Sequence, residues 1–496
     1  MGIVQRQSLK QSAVIYVGVM MGFVSTTFIY PLALTTEQIG LFRAMITASA
    51  FITPFIFLGG SAIVVRFFPE FKTDDGRHNG FLFFLFALQG FGFILFLLLL
   101  YLFEDRFFTY FSEKNQLFEE YLYWLPVFLF LVAFANLLTS FTSNFRRIAV
   151  PAVFNELFVK FGVPLCALLY YFEVISFTGF IQGLALVYLA VNLGLAGYLR
   201  RLGQLHFRPS LSMFTRDRIK RMRVFAGYGL LGSLGGKFVD YIDIIMLAWL
   251  STLDATGIYS VPLLISNVID VPRRSVTRIA APVLTTHWQD NNRAEIASIY
   301  RKSSLLLLIA GAGLFLPIWA GIDELYAVMP NGEDFMAGKY VLLILGAARL
   351  VDMVTGVNSE IINYSPFFRW NFYLILLLAV FNVGTNYLLI PAYQIHGAAL
   401  ATLLSLTLYN FSKFLVVWYK IGLQPLTVKT LEVIAVFLLL LAAVSYLPGS
   451  PYAMLDLFWQ PVCAIGLFGL YMLWRKPSED ADNFLRELLQ KVRTYF

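Results

Sequence analysis

Charged side chains lie within long apolar segments of this sequence, where each would cost several kcal/mol if it faced lipid without a partner. Such residues usually line a cavity or pair with one another, which makes them the first candidates for function. Their chemistry suits the binding of an anionic group or of a coupling cation. The set comprises Arg43, Glu156, Lys160, Lys237, Asp240, Asp243, Asp270, Arg273, Arg274, Arg278, Arg349, Asp352 and Glu360.

Lys237 lies near the middle of one apolar segment, and Asp240 and Asp243 follow it at intervals of three residues. This spacing places Lys237 and Asp240 on one helix face, where they can form a structural ion pair. The alternative is a cavity-lining group that meets an anionic head group or a coupling cation. Glycines just before the lysine would allow the helix to bend or to pack closely.

The next apolar segment carries Asp270, Arg273, Arg274 and Arg278. At helical spacing these residues fall within roughly 140° of arc and form one polar stripe. The guanidinium fork of arginine matches phosphate oxygens in a bidentate manner, so the stripe predicts an entry site for a phosphate group. The alternative is that the arginines snorkel to the membrane interface.

Two further pairs have the spacing of local ion pairs on a helix. Arg349 and Asp352 are three residues apart, and Glu156 and Lys160 are four residues apart. In both cases mutual neutralisation is the simpler interpretation.

The sequence lacks the signatures of the common enzyme classes. No GxSxG, P-loop or HExxH motif occurs, which argues against a hydrolase, an ATP-driven pump and a metalloprotease. Cys166 and Cys463 lie far apart without a CxxC partner, so we predict neither a metal site nor a disulfide. We therefore expect no enzyme and no cofactor, and any energy must come from an ion gradient or from the fate of the substrate.

Membrane-spanning helices must position these charged residues. The 496 residues are 59% hydrophobic and 14% charged, and the mean hydropathy of +0.72 is too high for a soluble domain. Continuous apolar runs of about 20 residues favour helices over a β-barrel. We predict an all-α polytopic membrane protein of about fourteen helices, at 11–33, 41–65, 80–103, 121–143, 152–172, 178–199, 224–250, 257–282, 303–322, 340–363, 370–390, 396–419, 429–447 and 457–474.

Basic residues are concentrated in alternate connections, and acidic residues in the others. The pattern is typical of an inner-membrane protein, and the positive-inside rule places both termini in the cytoplasm. Cytoplasmic loops also account for the net charge of +7, so we predict no nucleic-acid partner.

A weak internal repeat divides the chain, because 37–42 matches 254–259 and 71–77 matches 287–293. Six helices in each half predict a parallel repeat about an axis along the membrane normal, with a substrate path between the halves. The predicted regions are an N-lobe at 1–200, a basic cytoplasmic linker at 201–223, a C-lobe at 224–420, two further helices within 421–474 and a cytoplasmic tail at 475–496.

Motifs along the whole chain carry a family resemblance. They include Glu37-Gln-Ile-Gly-Leu-Phe42, Arg66-Phe-Phe-Pro-Glu-Phe71 and, most specifically, the Asn-x-x-x-Asn, Ile-Pro, Gly-Ala-Ala and Ala-Thr pattern over 382–405. The sequence thereby resembles the multidrug/oligosaccharidyl-lipid/polysaccharide (MOP) flippase superfamily, in the branch of polysaccharide transporters and O-antigen flippases. The resemblance implies two six-helix lobes with two added helices, and transport by alternating access.

The resemblance also implies a substrate and partners. The substrate would be an undecaprenyl-diphosphate-linked oligosaccharide, moved to the outer leaflet for surface polysaccharide or lipopolysaccharide biosynthesis. Membrane lipids and a polysaccharide polymerase machinery would be its partners. The residues expected to attract the diphosphate are Lys237, Arg273, Arg274, Arg278 and Arg349. Those expected to hold these cations, or to bind a coupling Na⁺ or H⁺, are Asp240, Asp243 and Asp352.

Other functions remain open from the sequence. The buried charges nearly balance, which also suits a cation-coupled exporter of small amphipathic compounds. An enzyme of polymer assembly is a third hypothesis, although no set of residues suggests it. Asp75-Gly76-Arg77 is similar to a loop of major-facilitator transporters, but the Gly-x-x-x-Asp pattern that usually precedes it is absent.

Overall fold

The computed structural model describes residues 3–103, 116–145, 147, 149–210 and 214–478. Within these ranges, the side chains of 3–10, 12, 13, 228, 231–237, 239 and 240 lie outside the described part. The side chains of Lys237 and Asp240 are among them, and so is most of the predicted tail at 475–496. Predictions that fall on these positions therefore stay predictions.

Every regular element in the described ranges is helical, which confirms the predicted all-α class. Each of the predicted segments overlaps at least one helix. The α-helices are α1 Ile3–Val24, α2 Tyr30–Ala33, α3 Thr36–Ile56, α4 Gly60–Phe71, α5 Phe81–Leu102, α6 Gln116–Tyr121, α7 Trp124–Ser143, α8 Ala149–Ala152, α9 Val159–Tyr171, α10 Phe177–Arg201, α11 Arg216–Leu250, α12 Leu253–Ile269, α13 Val271–Gln289, α14 Arg293–Ala320, α15 Ile322–Val328, α16 Lys339–Val354, α17 Asn358–Tyr364, α18 Arg369–Val416, α19 Val428–Val444 and α20 Ala453–Arg475.

Length and hydropathy identify membrane spans among these helices. Across the described residues, 9 helical segments are long and apolar enough to cross a bilayer, or 10 if the bent pair Gly332–Val354 and Asn358–Tyr364 counts as one span. The protein is therefore a multi-pass membrane protein. The count of fourteen spans stays a prediction, because apolar pieces such as Leu253–Ile269 are shorter than a full span.

Contacts divide the chain into an N-terminal unit, Met1–Ser260, and a C-terminal unit, Val261–Phe496. The boundary falls within α12, so this helix contributes residues to both. The predicted lobes, 1–200 and 224–420, were drawn from charge and from the repeat, and they stay a prediction.

Helices α3 and α12 approach each other through glycine within the N-terminal unit. A Cβ atom built on Gly40 would lie 1.8 Å from the carbonyl oxygen of Leu253, and one on Gly257 would lie 1.9 Å from that of Thr36. The Thr36 hydroxyl also donates a hydrogen bond to the carboxylate of Asp254. Gly40 and Gly257 occupy matching positions of the predicted repeat. The two copies of this motif thus meet backbone to backbone, which only glycine permits.

Helix α18 contains the predicted segment 370–390 and all but the last three residues of the predicted segment 396–419. Its backbone leaves the helical conformation at Gln394, where φ is 49° and ψ is −122°. A Cβ atom at Gly397 would lie 2.2 Å from the carbonyl oxygen of Leu389. The bend therefore requires glycine at this position. The small residues of the Gly-Ala-Ala motif therefore have a packing role.

The C-terminal unit is arranged around the long helices α14 and α18. Helix α14 packs against α13, α16, α19 and α20, and α16 also packs along α18. Because α13, α16 and α18 all lie near this centre, charged residues on three different helices can meet.

Candidate functional site

Four charged side chains meet in the C-terminal unit, and we call Asp270, Arg273, Asp352 and Lys413 the charge cluster. The Nε atom of Arg273 lies 2.6 Å from Oδ1 of Asp270 and 3.1 Å from Oδ2 of Asp352. The Nζ atom of Lys413 lies 3.9 Å from Oδ1 of Asp352. Asp270, Asp352 and Lys413 are buried, whereas 31% of the Arg273 side chain is exposed. The charge cluster therefore joins α13, α16 and α18 by mutual neutralisation.

Polar neighbours complete the surroundings of the buried lysine. Lys413 Nζ donates a hydrogen bond to Ser359 Oγ at 3.1 Å and lies 4.1 Å from the centre of the Tyr409 ring. Asn410 accepts a hydrogen bond from the hydroxyl of Thr355, at 3.0 Å. A buried ammonium group needs such partners because its desolvation is costly. The cluster is thus a set of interdependent pairs rather than a single salt bridge.

Arg274 and Arg278 occupy the more open side of α13. Arg274 Nε donates to Oδ2 of Asp270 at 3.1 Å, yet 56% of the Arg274 side chain is exposed. Arg278, one helical turn further on, is exposed and forms no ion pair with any residue that the structure describes. These two arginines can meet an anion without disrupting the charge cluster.

Arg349 is buried and donates from Nη2 to Oδ1 of Asn267 at 2.6 Å. Among the ion pairs of the described residues, Asp352 is joined to Arg273 and Lys413 rather than to Arg349. The prediction that Arg349 and Asp352 form a local ion pair is therefore wrong, because each of the two side chains contacts other residues. The physical reason is that residues three apart diverge by about 60° around a helix axis, so each side chain meets a different neighbouring helix.

The aspartates and lysines predicted in the N-terminal unit have separate surroundings. Asp243 is buried and accepts a hydrogen bond from the Tyr259 hydroxyl at 2.8 Å. The predicted pairing of Glu156 with Lys160 is confirmed, with 2.6 Å between Oε2 and Nζ. The roles predicted for Lys237 and Asp240 concern side chains outside the described part.

Sequence analysis missed Lys413. This lysine lies inside the predicted helix 396–419, so the criterion that selected the other charged residues would have found it. Its partner could not be deduced in the same way, because Asp352 and Lys413 are 61 positions apart (413 − 352).

Apolar spans with buried, mutually paired charges are typical of secondary transporters. Two solved structures share this fold. The chain is similar to the lipid II flippase MurJ in an inward closed conformation, with a TM-score of 0.73, 12% identity and coverage of 94% of this chain and 99% of that one. It is also similar to an inward-facing multidrug resistance MATE transporter of the MOP superfamily, with a TM-score of 0.62, 12% identity and coverage of 84% and 98%.

Two curated proteins of Haloferax volcanii match part of the sequence. The probable flippase AglR is 25% identical over 195 residues, which are 39% of this chain and 41% of AglR. The probable low-salt glycan biosynthesis flippase Agl15 is 25% identical over 187 residues, 36% of this chain and 38% of Agl15. The chain thus spans about two fifths of the length of these relatives. A scan against protein-family models gives no match. The fold implied by the resemblance to the MOP superfamily is confirmed, because the chain shares it with a transporter of that superfamily.

Proposed function

We propose that this protein is a flippase that moves a lipid-linked oligosaccharide across the membrane by alternating access. The observation that carries the proposal is the match to two curated flippases, one of them named for glycan biosynthesis. The fold shared with a lipid II flippase supports it. Undecaprenyl diphosphate is the proposed carrier, and the bacterial inner membrane, with both termini cytoplasmic, is the proposed location.

The exposure of each arginine side chain determines whether we propose it as a contact to the substrate or as a residue that positions a helix. A diphosphate that leaves the membrane surface needs cations that it can reach, and the exposed Arg274 and Arg278 are the proposed contacts. Of the other two arginines expected to attract the diphosphate, Arg273 is held by the buried carboxylates of Asp270 and Asp352, and Arg349 is itself buried against Asn267. Their proposed role is to position α13 and α16. The sugar would cross in a wet cavity while the polyprenyl chain stays in lipid.

Coupling to an ion gradient is the proposed source of energy, because the sequence has no P-loop. Carboxylates within the spans are the natural ligands for a proton or Na⁺. Asp240, Asp243 and Asp352 are the proposed candidates, with Lys237 as a further contact to the diphosphate. Asp243 is the simplest of these to test, because its side chain is buried within the described part of the chain and accepts a hydrogen bond from the Tyr259 hydroxyl.

Deletion and complementation in the source organism test the proposal. We expect loss of surface glycan on deletion and restoration by the wild-type gene. Lys237→Ala should fail to restore the glycan although the protein inserts in normal amounts, as checked by quantitative immunoblotting of membranes. Normal surface glycan after deletion would reject the proposed function, and full rescue by Lys237→Ala would remove only this lysine from the site.

The likeness to a multidrug resistance MATE transporter favours one alternative, a cation-coupled exporter of small amphipathic compounds. The same deletion strain distinguishes the two hypotheses. Sensitivity to amphipathic drugs with intact surface glycan would support the exporter, whereas loss of glycan without drug sensitivity would support the flippase.

A further inference from the structure

A groove in the N-terminal unit, between α4 and α11, is lined by none of the residues proposed for transport. Its volume is about 490 Å³, within the usual range of small-molecule sites. Its walls combine basic and apolar side chains with one acidic residue: Arg66, Phe67, Glu70, Lys220, Arg221, Val224 and Phe225. We call it the basic groove.

The positive charge of the basic groove exceeds what its acidic residue can neutralise. Glu70 already has two partners, because Oε2 lies 3.0 Å from Nη2 of Arg221 and 3.1 Å from Nε of Arg218. Arg66 and Lys220 are exposed and form no ion pair within the described part of the chain. Two cations are therefore available to an anionic ligand.

The apolar wall determines what kind of anion fits. The side chains of Val224 and Phe225 are exposed to 58% and 38%, and they lie beside Phe67. Val224 follows Lys220 by four residues, so an apolar and a basic side chain share one face of α11. Inorganic phosphate would gain nothing from this wall, whereas an acyl chain attached to a phosphate would cover it.

We infer that the basic groove binds an anionic phospholipid of the surrounding membrane. Its phosphodiester lies between Arg66 and Lys220, and one acyl chain runs along Val224 and Phe225. The basic connection before α11 is on the predicted cytoplasmic side, where such lipids attract lysine and arginine. A bound lipid would link α4 to α11 and is distinct from the transported substrate.

Lipid retention in uncharged detergent tests this inference. The purified full chain is titrated with phosphatidylglycerol or phosphatidylcholine, and bound lipid is counted by native mass spectrometry. Arg66→Ala/Lys220→Ala should weaken phosphatidylglycerol binding about 30-fold, since each cation near a lipid surface contributes about fivefold. Arg200→Ala/Arg201→Ala removes the same charge from exposed positions outside the groove and should leave binding unchanged. Val224→Ser should weaken binding without changing any charge, because it removes part of the apolar wall.

The following results would overturn the inference. The first is equal retention of phosphatidylglycerol by the wild type and by the groove variants. The second is an equal loss in the groove variants and in the control, which would indicate non-specific attraction. The third is equal affinity for phosphatidylcholine, or displacement of the lipid by inorganic phosphate at matched concentration. Because no transport is measured, failure here leaves the proposed flippase function untouched.

Discussion

Arg273 contacts two carboxylates that belong to different parts of the C-terminal unit. Asp270 directly precedes α13, and Asp352 lies in α16, where it also faces Lys413 of α18. Coulombic attraction between buried groups is strong, but so is the cost of removing them from water. The charge cluster therefore contributes to the fold chiefly by specifying how these helices pack. The loss of one member leaves a buried charge without an opposite charge to neutralise it.

Substitution of Asp352 by asparagine separates this structural role from substrate contact. Asp352→Asn keeps the shape of the side chain but leaves Lys413 and Arg273 with less negative charge, so we expect destabilisation of about 3 kcal/mol. Thermal unfolding in detergent would show it as a lower midpoint. Arg274→Ala is the matched control, because its half-exposed side chain can leave while Arg273 stays paired with Asp270. Equal midpoints for the two variants would contradict this role for Asp352.

At the residue scale, the sequence predicted the local pair of Glu156 with Lys160 but not the pairing within the charge cluster, and it missed Lys413. Six of the eight residues predicted to bind the diphosphate or a coupling ion are described with their side chains, and Arg273 and Asp352 do meet. Their contact could not be deduced because partner choice depends on the rotation of each helix about its axis. If the rotation of a helix is wrong by one residue, the direction of each side chain changes by about 100°. Spacing along the sequence therefore favoured Arg349 as the partner of Asp352 over Arg273, which lies on another helix.

At the scale of elements, α3 and α12 are linked by the glycine contact of the internal repeat. Gly40 and Gly257 allow the two backbones to touch, and the hydrogen bond from Thr36 to Asp254 fixes their alignment. The sequence predicted the repeat from these residues, but it gave no indication that the two copies contact each other. The bend in α18 was predicted only as a gap between two helices, and the structure places it at Gln394.

A leucine at Gly40 should force α3 and α12 apart. Gly40→Leu places a Cβ atom against a backbone carbonyl that cannot move independently, and we expect destabilisation of about 1–3 kcal/mol. Gly197→Leu is the control, since no atom lies within 4 Å of a Cβ built at that helical glycine. Thermal unfolding of both variants is the measurement. If Gly40→Leu unfolds at the same temperature as Gly197→Leu, the close contact does not exist.

At the scale of the whole molecule, composition was sufficient to predict an all-helical, multi-pass membrane protein. Apolar runs in a bilayer have few structural solutions, because every backbone polar group must be satisfied within the segment. The number of spans is harder to predict, because a bent helix pair or a short helix such as Leu253–Ile269 does not by its length alone show whether it crosses the bilayer. Orientation depends on the distribution of lysine and arginine, and it remains a prediction.

Labelling of single cysteines tests the predicted orientation. In a background with Cys166→Ser and Cys463→Ser, we expect Glu37→Cys to react with a membrane-impermeant maleimide in intact cells. Arg208→Cys should react only after the membrane is permeabilised, because the positive-inside rule places it in the cytoplasm. Labelling of Arg208→Cys in intact cells would reverse the assigned orientation.

Reconstitution into vesicles tests the central claim most directly. The measurement is the rate at which an undecaprenyl-diphosphate-linked oligosaccharide becomes accessible on the opposite leaflet, compared with protein-free vesicles. We predict that the wild type accelerates this step and that Arg274→Ala/Arg278→Ala lowers the rate at least about tenfold, since hydrogen bonds to charged groups contribute about 1.5–3 kcal/mol each. A wild-type rate equal to that of protein-free vesicles, under an imposed Na⁺ or proton gradient, would contradict the account.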